Sequence, residues 1–400
     1  MTEQPVERPQ DQGAIIFNHD PDTTSAAKHH TWYRGPHTNR APNQAAMLVP
    51  SAVADHVVQG WGPGAPAIDR STKITAFGSC FAANISRWLG QRNYRVSSND
   101  EEAQRAYVVQ IGEGMVNSFV IRQQFEWAWE GKTFDQPLWH GYTAEAFGYD
   151  AEVQRETRAL FDRTEVFILT FGLSEVWYDA PSGEVFWRTI PKDAYDPERH
   201  RFRISSVEEN RENIDAIYRL IRKHRPDAKV IMTLSPVPLI ATFRDNSCIT
   251  SNSVSKAVLR VAVDEVMRAH GGDGHLFYWP SYEIVMDVFG GPFKADRRHL
   301  PRPVLDFIMI QFEDIWCHNE AQTDLPELDE AYLKALAAAR IVPERLRRAV
   351  EKRRAEVLER HAEKDGLHED PAVAYAMAHI MRSVAGRWRA EDQDRASGRS

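Results

Sequence analysis

The feature that most constrains this chain is an alternation of short apolar runs with segments of helical periodicity, beginning at Lys73. The runs are apolar throughout rather than on alternate residues, which is typical of parallel strands covered by helices on both faces. Each run is soon followed by Gly, Ser or Pro. The predicted strands are Lys73–Phe77, Glu165–Thr170, Lys229–Leu234 and His275–Trp279.

The segments between these runs have the spacing of amphipathic helices. Ala82–Leu89 is followed by Gly90 as a stop signal, Ser206 is a candidate N-cap for a helix that ends before Pro226, and 255–270 has an apolar stripe. Alternating strands and helices predict an α/β fold, a three-layer doubly wound parallel sheet, over residues 71–320. An insertion at 113–155 is expected to be helical and lid-like.

The two ends of the chain have a different composition. Residues 1–70 are rich in Pro, Gly, Asn and Asp, and we expect an irregular N-terminal arm. Residues 325–400 are rich in Ala, Glu, Arg and Leu, which predicts an α-helical C-terminal extension. Its helices are expected near 327–340, 343–361 and 371–388, and they are a candidate surface for a homo-oligomer.

Charge and cysteine content exclude several classes. The chain carries 49 Lys and Arg against 57 Asp and Glu, a net charge of −8, which argues against nucleic acid as a partner. Three widely spaced cysteines argue against a disulfide framework or a cysteine zinc site. No apolar stretch approaches ~18 residues and the N-terminus has no signal-peptide pattern, so we expect no membrane span and a cytoplasmic protein.

One predicted strand-to-helix junction carries a candidate nucleophile. Lys73–Phe77 runs through Gly78 and Ser79 into the first predicted helix. Ligands of an α/β sheet bind beyond the carboxyl ends of its strands, so the Ser79 hydroxyl should lie at the mouth of the sheet above a helix N-terminus. A serine there becomes a nucleophile when a base removes its proton. The alternative interpretation is that Ser79 only caps the helix.

The candidate base is His299, three residues after Asp296. On a loop, a carboxylate at this spacing can fold back to accept the Nδ1 proton of the imidazole, which leaves Nε2 facing a serine. The alternative is a solvated loop in which Asp296 pairs with the basic residues around it.

Three further strand ends place polar groups at the same edge of the sheet. Gly172 permits close approach of the backbone there, and Ser174 can present a hydroxyl to an oxyanion. Glu175 is either a carboxylate at a helix start or a buried anchor. Ser235, in Ser235-Pro236-Val237-Pro238, and Glu283, in Pro280-Ser281-Tyr282-Glu283, are equally compatible with rigid turns.

Together these stretches resemble a known family. Gly78-Ser79-Cys80-Phe81-Ala82 matches the signature of the GSCFA domain, a branch that resembles the SGNH/GDSL hydrolases and the PC-esterase acyltransferases. Further similar stretches are Asn117-Ser118, Thr170 to Glu175, Ser235 to Leu239, Ser255-Lys256 and Pro280 to Glu283. The resemblance covers about residues 70–318.

The resemblance implies a flavodoxin-like fold with Ser79 as nucleophile, His299 as base and Asp296 as its orienting carboxylate. It also implies an oxyanion hole made by the nucleophile's N–H, a glycine N–H and an asparagine side chain. Gly112 and Gly114 both fit the glycine position. Ser174 stands where the asparagine is expected, so either its hydroxyl donates or Asn117 takes that role.

The implied function is an SGNH-type serine esterase or O-acyltransferase that acts on an acyl ester, with acetyl favoured, of a carbohydrate or polysaccharide precursor. No cofactor or metal is implied, and the expected partner is a small-molecule or glycan ester. The first alternative is an inactive glycan- or partner-binding module. A thiol enzyme using Cys80 is less favoured because its side chain should point into the core, and a metal hydrolase at His29-His30 lacks further ligands.

Overall fold

The computed structural model describes residues 39, 41–42, 46–48, 51–318 and 325–339. The chain divides into two compact units, Met1–Gln44 and Ala45–Ser400, and all helices and strands given below belong to the second. Most of the predicted N-terminal arm and the helices predicted near 343–361 and 371–388 lie outside the described residues. Within the arm, the described segment 51–70 begins with a helical turn at Val53–Val57, and Ile68 is buried.

The sheet and its order are those of a doubly wound α/β fold. The strands are β1 (Lys73–Phe77), β2 (Arg95–Val96), β3 (Val166–Phe171), β4 (Glu175–Asp179), β5 (His200–Ile204), β6 (Lys229–Leu234) and β7 (Leu276–Tyr278). Five of them form a parallel sheet in the order β2-β1-β3-β6-β7, and β4 pairs with β5 as a separate antiparallel hairpin. The parallel order is that of flavodoxin-like folds, with the switch point between β1 and β3.

Helices cover both faces of this sheet. They are α1 (Cys80–Gln91), α2 (Tyr107–Gln110), α3 (Ser118–Glu130), α4 (Ala151–Arg163), α5 (Val207–His224), α6 (Cys248–His270), α7 (Ser281–Glu283), α8 (Arg302–Trp316) and α9 (Leu325–Ala338). The predicted three-layer fold is therefore confirmed, and α9 confirms the helical character of the described part of the C-terminal extension. None of the described helices is long and apolar enough to cross a membrane.

Strand β3 shows why the sheet lies between two cores. All six of its residues are buried. Phe167, Leu169 and Phe171 point into a core formed with α3, α4, α5 and α6, whereas Val166 and Ile168 point into a second core with α1, α8 and α9. Successive side chains of a strand face opposite sides, so an uninterrupted apolar strand needs a helical layer on each side.

The structure differs from the sequence prediction in places where local patterning is weak. The two-residue strand β2 and the β4–β5 hairpin were not predicted. Helix α6 begins at Cys248 rather than near Ser255, and α1 continues through Gly90 to Gln91. The end of α1 is set instead by the turn that follows, where Asn93 has a φ of 63°.

The insertion at 113–155 contains α3 and the start of α4. Helix α3 packs in the core layer of the sheet: Phe125 contacts the rings of Phe77, Phe161 and Phe167. Trp127 and Trp139 are fully buried. Helix α3 is thus one of the helices that cover a face of the sheet. The residues of the insertion that line the candidate active-site cavity are Gly114, Val116, Asn117 and Tyr142.

Candidate active site

Ser79 lies at the junction between β1 and α1, where the backbone passes very close to β3. Gly78 has a φ of 127°, and a Cβ at this position would lie 2.2 Å from the carbonyl oxygen of Thr170. Only glycine adopts this conformation without strain. Ser79 then caps α1, with its Oγ accepting the backbone N–H of Phe81 at 3.1 Å. That bond uses an oxygen lone pair and leaves the hydroxyl hydrogen available to a base.

Asp296 and His299 lie together on the loop before α8. Nδ1 of His299 is 2.5 Å from Oδ2 of Asp296. The other oxygen of Asp296 accepts the backbone N–H groups of Arg298 and His299, both at 3.0 Å. The bond from His299 and these two N–H groups hold the pKa of Asp296 well below its usual range. An ionised Asp296 accepts a hydrogen bond from the N–H at Nδ1. The neutral imidazole therefore presents Nε2, which can accept the proton of a serine hydroxyl.

One cavity of about 450 Å³ contains both the candidate nucleophile and the candidate base in its wall. Both Ser79 and His299 line it, although Ser79 precedes α1 and His299 precedes α8. Gly172 after β3 and Ser235 after β6 line it too, so the cavity lies beyond the carboxyl ends of neighbouring parallel strands. In the described structure, Ser79 and His299 are not hydrogen-bonded to each other; catalytic hydrogen bonds often tighten only when substrate is bound.

The backbone N–H groups of Gly114, one of the two candidates for the glycine donor, and of Gly172 are already hydrogen-bonded. The N–H of Gly114 donates to the carbonyl of Ile111 at 3.0 Å, and that of Gly172 donates to the carbonyl of Val116 at 2.7 Å. Both glycines line the cavity, but neither has its N–H available for an oxyanion. Gly112, the alternative for the glycine position, does not line this cavity, and its carbonyl accepts from Gly78.

Asn117 is better placed than Ser174 to donate into the cavity. Asn117 lines the cavity and caps α3 with its Oδ1, while Nδ2 donates to the carbonyl of Trp187 at 3.3 Å, which leaves the second amide hydrogen unused. Ser174 is fully buried, does not line the cavity, and its hydroxyl has no hydrogen-bond partner among the described residues. The available donors are therefore the Ser79 N–H and the Asn117 side chain.

The other predicted residues divide into two groups. Glu175 lines the cavity, and both of its carboxylate oxygens are within reach of the Thr242 hydroxyl, at 2.9 and 2.8 Å. Ser235 lines the cavity as well. Glu283 does not: its carboxylate accepts from Arg260 at 2.6 Å and from the hydroxyl of Tyr278.

Cys80 and two of the tryptophans also line the cavity. The Cys80 side chain was expected in the core, but it is partly buried at the cavity wall. Trp177 and Trp187 line the cavity, but Trp187 is fully buried and belongs to the same core as Trp127 and Trp139. Of these four tryptophans, the half-buried Trp177 is the one with a ring face open to stacking on a sugar.

Lys256 lies near this site, and from the sequence it was named within a stretch similar to the family without being given a role. It is fully buried on α6, and its Nζ donates to three carbonyls, those of Gly172 at 2.9 Å, Ser235 at 2.7 Å and Val237 at 2.8 Å. All three acceptors belong to cavity-lining residues. One ammonium group therefore fixes the ends of β3 and β6. A lysine inside the apolar stripe of a predicted helix is the signal that points to it.

Burial dominates the electrostatics of Lys256. Loss of hydration lowers its pKa to about 7, with the Arg298 charge acting in the same direction and Cys80 opposing it. No described group of three or more His, Cys, Asp or Glu residues is arranged to hold a metal ion.

The conformation of Gly78 yields a first prediction. Gly78→Ala is expected to lower the free energy of unfolding by about 2–4 kcal/mol, because the left-handed backbone and the collision with Thr170 both oppose a Cβ. Gly60→Ala is the control: Gly60 has a φ of 80° with open space around it, and it should cost about 1 kcal/mol. Urea unfolding of both variants measures the difference, and equal losses would contradict the close approach of β1 and β3.

Lys256 yields a second prediction. Between pH 7 and roughly pH 10 the folded protein has lost the Lys256 proton while the unfolded chain keeps it. The unfolded state then binds more protons, so stability from this group rises with pH. In urea unfolding across this range, the slope of the free energy of unfolding against pH should be more positive for wild type than for Lys256→Met. The control Lys223→Met, at a side chain that is 62% exposed, should keep the wild-type slope. Parallel slopes for wild type and Lys256→Met would contradict the burial of the charge.

None of the curated proteins matches this chain. The family model described as the GSCFA family matches residues 73–312, which is more than half of the chain and includes Ser79, Asp296 and His299. The chain therefore belongs to the GSCFA family.

Proposed function

We propose that this protein is a serine esterase or O-acyltransferase of SGNH type. The observation that carries the proposal is that Ser79 and His299 line one cavity while Asp296 holds Nδ1 of His299 at 2.5 Å. A nucleophile, a base and a group that orients the base are the three parts that acyl transfer by serine requires.

In the first half of the reaction, Oγ of Ser79 attacks the acyl carbon of the ester, and Nε2 of His299 takes the hydroxyl proton. The carbonyl oxygen becomes an oxyanion. The Ser79 N–H and the free amide hydrogen of Asn117 are the donors available to it. Asp296 stabilises the imidazolium that forms. Collapse of the tetrahedral intermediate breaks the ester bond, and His299 returns the proton to the leaving alkoxide.

In the second half, water or another hydroxyl attacks the acyl-enzyme. His299 removes the proton of that nucleophile and later protonates Oγ of Ser79, which restores the enzyme. Water gives hydrolysis, and an alcohol gives acyl transfer. A carbohydrate ester is the proposed substrate class, because the family resembles carbohydrate-ester enzymes and because Trp177 at the cavity offers an aromatic face.

A second candidate function is a glycan- or partner-binding module without turnover. The occupied N–H groups of Gly114 and Gly172 favour it, because they reduce the oxyanion donors to two. The two functions differ in whether Ser79 is activated, which a covalent probe of serine nucleophiles measures directly.

The triad is tested by intact-mass analysis after treatment with a fluorophosphonate. Wild type is expected to gain one adduct on Ser79, and both Ser79→Ala and His299→Ala should gain none, because the serine needs its base. In ester kinetics each substitution should lower kcat by roughly 10³-fold or more, and the double variant should lose little further, since the two residues act as one unit.

Asp296→Asn is expected to cost activity because the amide holds the imidazole in the wrong tautomer. His224→Ala is a control, since His224 is engaged by Glu130 at 2.9 Å and does not line the cavity. An unlabelled but folded wild type would favour the binding module, and turnover that survives in Ser79→Ala would refute the triad.

The role of Asn117 can be separated from its capping of α3. Asn117→Ser keeps an oxygen that can accept the Val120 N–H and removes the amide donor, so kcat should fall by roughly 10²–10³-fold with little loss of stability. Asn117→Ala removes both functions, and it should lose activity and also about 1 kcal/mol of stability. Full activity of Asn117→Ser would exclude Asn117 as an oxyanion donor.

A further inference from the structure

The wall of the candidate active site carries more positive than negative charge. Arg188 and Arg298 both line the cavity. Among the described lining residues Glu175 is the one carboxylate, and it is engaged by Thr242. A cavity with this balance attracts an anion, and its low-dielectric walls strengthen the attraction.

Contacts with neighbouring residues hold the Arg188 side chain in position. A Cβ on Gly114 would lie 2.0 Å from Nη2 of Arg188, so the guanidinium occupies space that only a glycine leaves open. The ring of Tyr142 covers it, with 4.4 Å between Cζ and the ring centroid, and the ring of Trp187 is 5.6 Å away. Cation–π contacts on rings beside the cavity therefore fix the side chain in place.

The half-buried charge of Arg188 has no anionic partner at close range among the described side chains. None of their carboxylates forms a salt bridge with it. Glu145 feels its charge at longer range, but one oxygen of Glu145 already accepts the hydroxyl and the N–H of Thr143, at 2.6 and 2.8 Å. A guanidinium partly removed from water gains most from a planar anion that accepts two parallel N–H bonds.

We propose that Arg188 binds an anionic group of the ester substrate, a carboxylate or a phosphate, with Arg298 adding positive charge beside His299. The proposal rests on the proposed function, because it identifies a substrate class for the same cavity. The anionic group belongs either to the acyl part or to the alcohol part of the ester. In either case it lies near Gly114 and Asn117, beside the Arg188 guanidinium.

Two pairs of esters test the proposal and separate these two sources. The acyl pair is para-nitrophenyl hydrogen adipate and para-nitrophenyl hexanoate, and the alcohol pair is para-acetoxybenzoate and its methyl ester. Each pair differs in one negative charge. The measured quantity is the ratio of kcat/KM for the anionic ester to kcat/KM for its neutral partner, which cancels losses common to both.

Wild type is expected to show a higher ratio than Arg188→Gln by roughly ten- to a hundredfold for one of the pairs, the magnitude of a charge-assisted bond. Arg188→Lys keeps the charge but lacks the planar fork, and its ratio should lie in between. Arg158→Gln, at a side chain that is 55% exposed and outside the cavity, is the matched control and should keep the wild-type ratio.

Each result decides the proposal. The same ratio in wild type and Arg188→Gln for both pairs overturns it, whereas neutral-ester turnover that still requires Ser79 leaves the proposed function standing. If no ester is turned over, titration calorimetry with para-acetoxybenzoate and adipate is the readout. Saturable binding by wild type that Arg188→Gln weakens supports the anion site, and an equal affinity or no binding overturns it.

Discussion

The close approach of β1 and β3 at Gly78 is the constraint on which the candidate site depends. The backbone turns there with a φ of 127°, and the carbonyl of Thr170 occupies the place of a side chain. Two residues, Gly78 and Ser79, separate the end of β1 from the start of α1, so Ser79 is both the helix cap and a wall of the cavity. Because the neighbouring parallel strands end at the same edge, the other cavity-lining loops gather around it.

A buried positive charge balances the backbone dipoles on the other side of this cavity. The loops after β3 and β6 turn three carbonyls inward, and two of these carbonyls precede prolines, Pro236 and Pro238, which have no N–H of their own to offer. Lys256 satisfies all three acceptors at the cost of its hydration, as the lowered pKa indicates. Below about pH 7, where Lys256 keeps its proton, the same charge adds to the positive potential of Arg188 and Arg298 and favours an anionic ligand.

The parts of the fold that were predicted from sequence are those in which burial dictates residue type. Four buried strands and the helices around them follow from apolar patterning, and the N-cap that starts α5 at Ser206 follows from local chemistry. Strand β2 has only two residues, and the strands β4 and β5 mix charged with aromatic residues. Neither shows the apolar pattern from which a strand is predicted. The tryptophans of the insertion at 113–155, Trp127, Trp129 and Trp139, fill the core.

The sequence by itself determined the fold class, the Gly-Ser junction and the Asp-x-x-His spacing, because each depends on neighbours within a few residues. Only the tertiary structure decided which groups that are distant in sequence meet: that Ser79 and His299 share a cavity, that Asn117 and not Ser174 lines it, and that Arg188 brings charge to it. Those contacts depend on strand order and on which backbone N–H groups are already hydrogen-bonded. Neither the strand order nor this hydrogen bonding can be inferred from the spacing of residues along the chain.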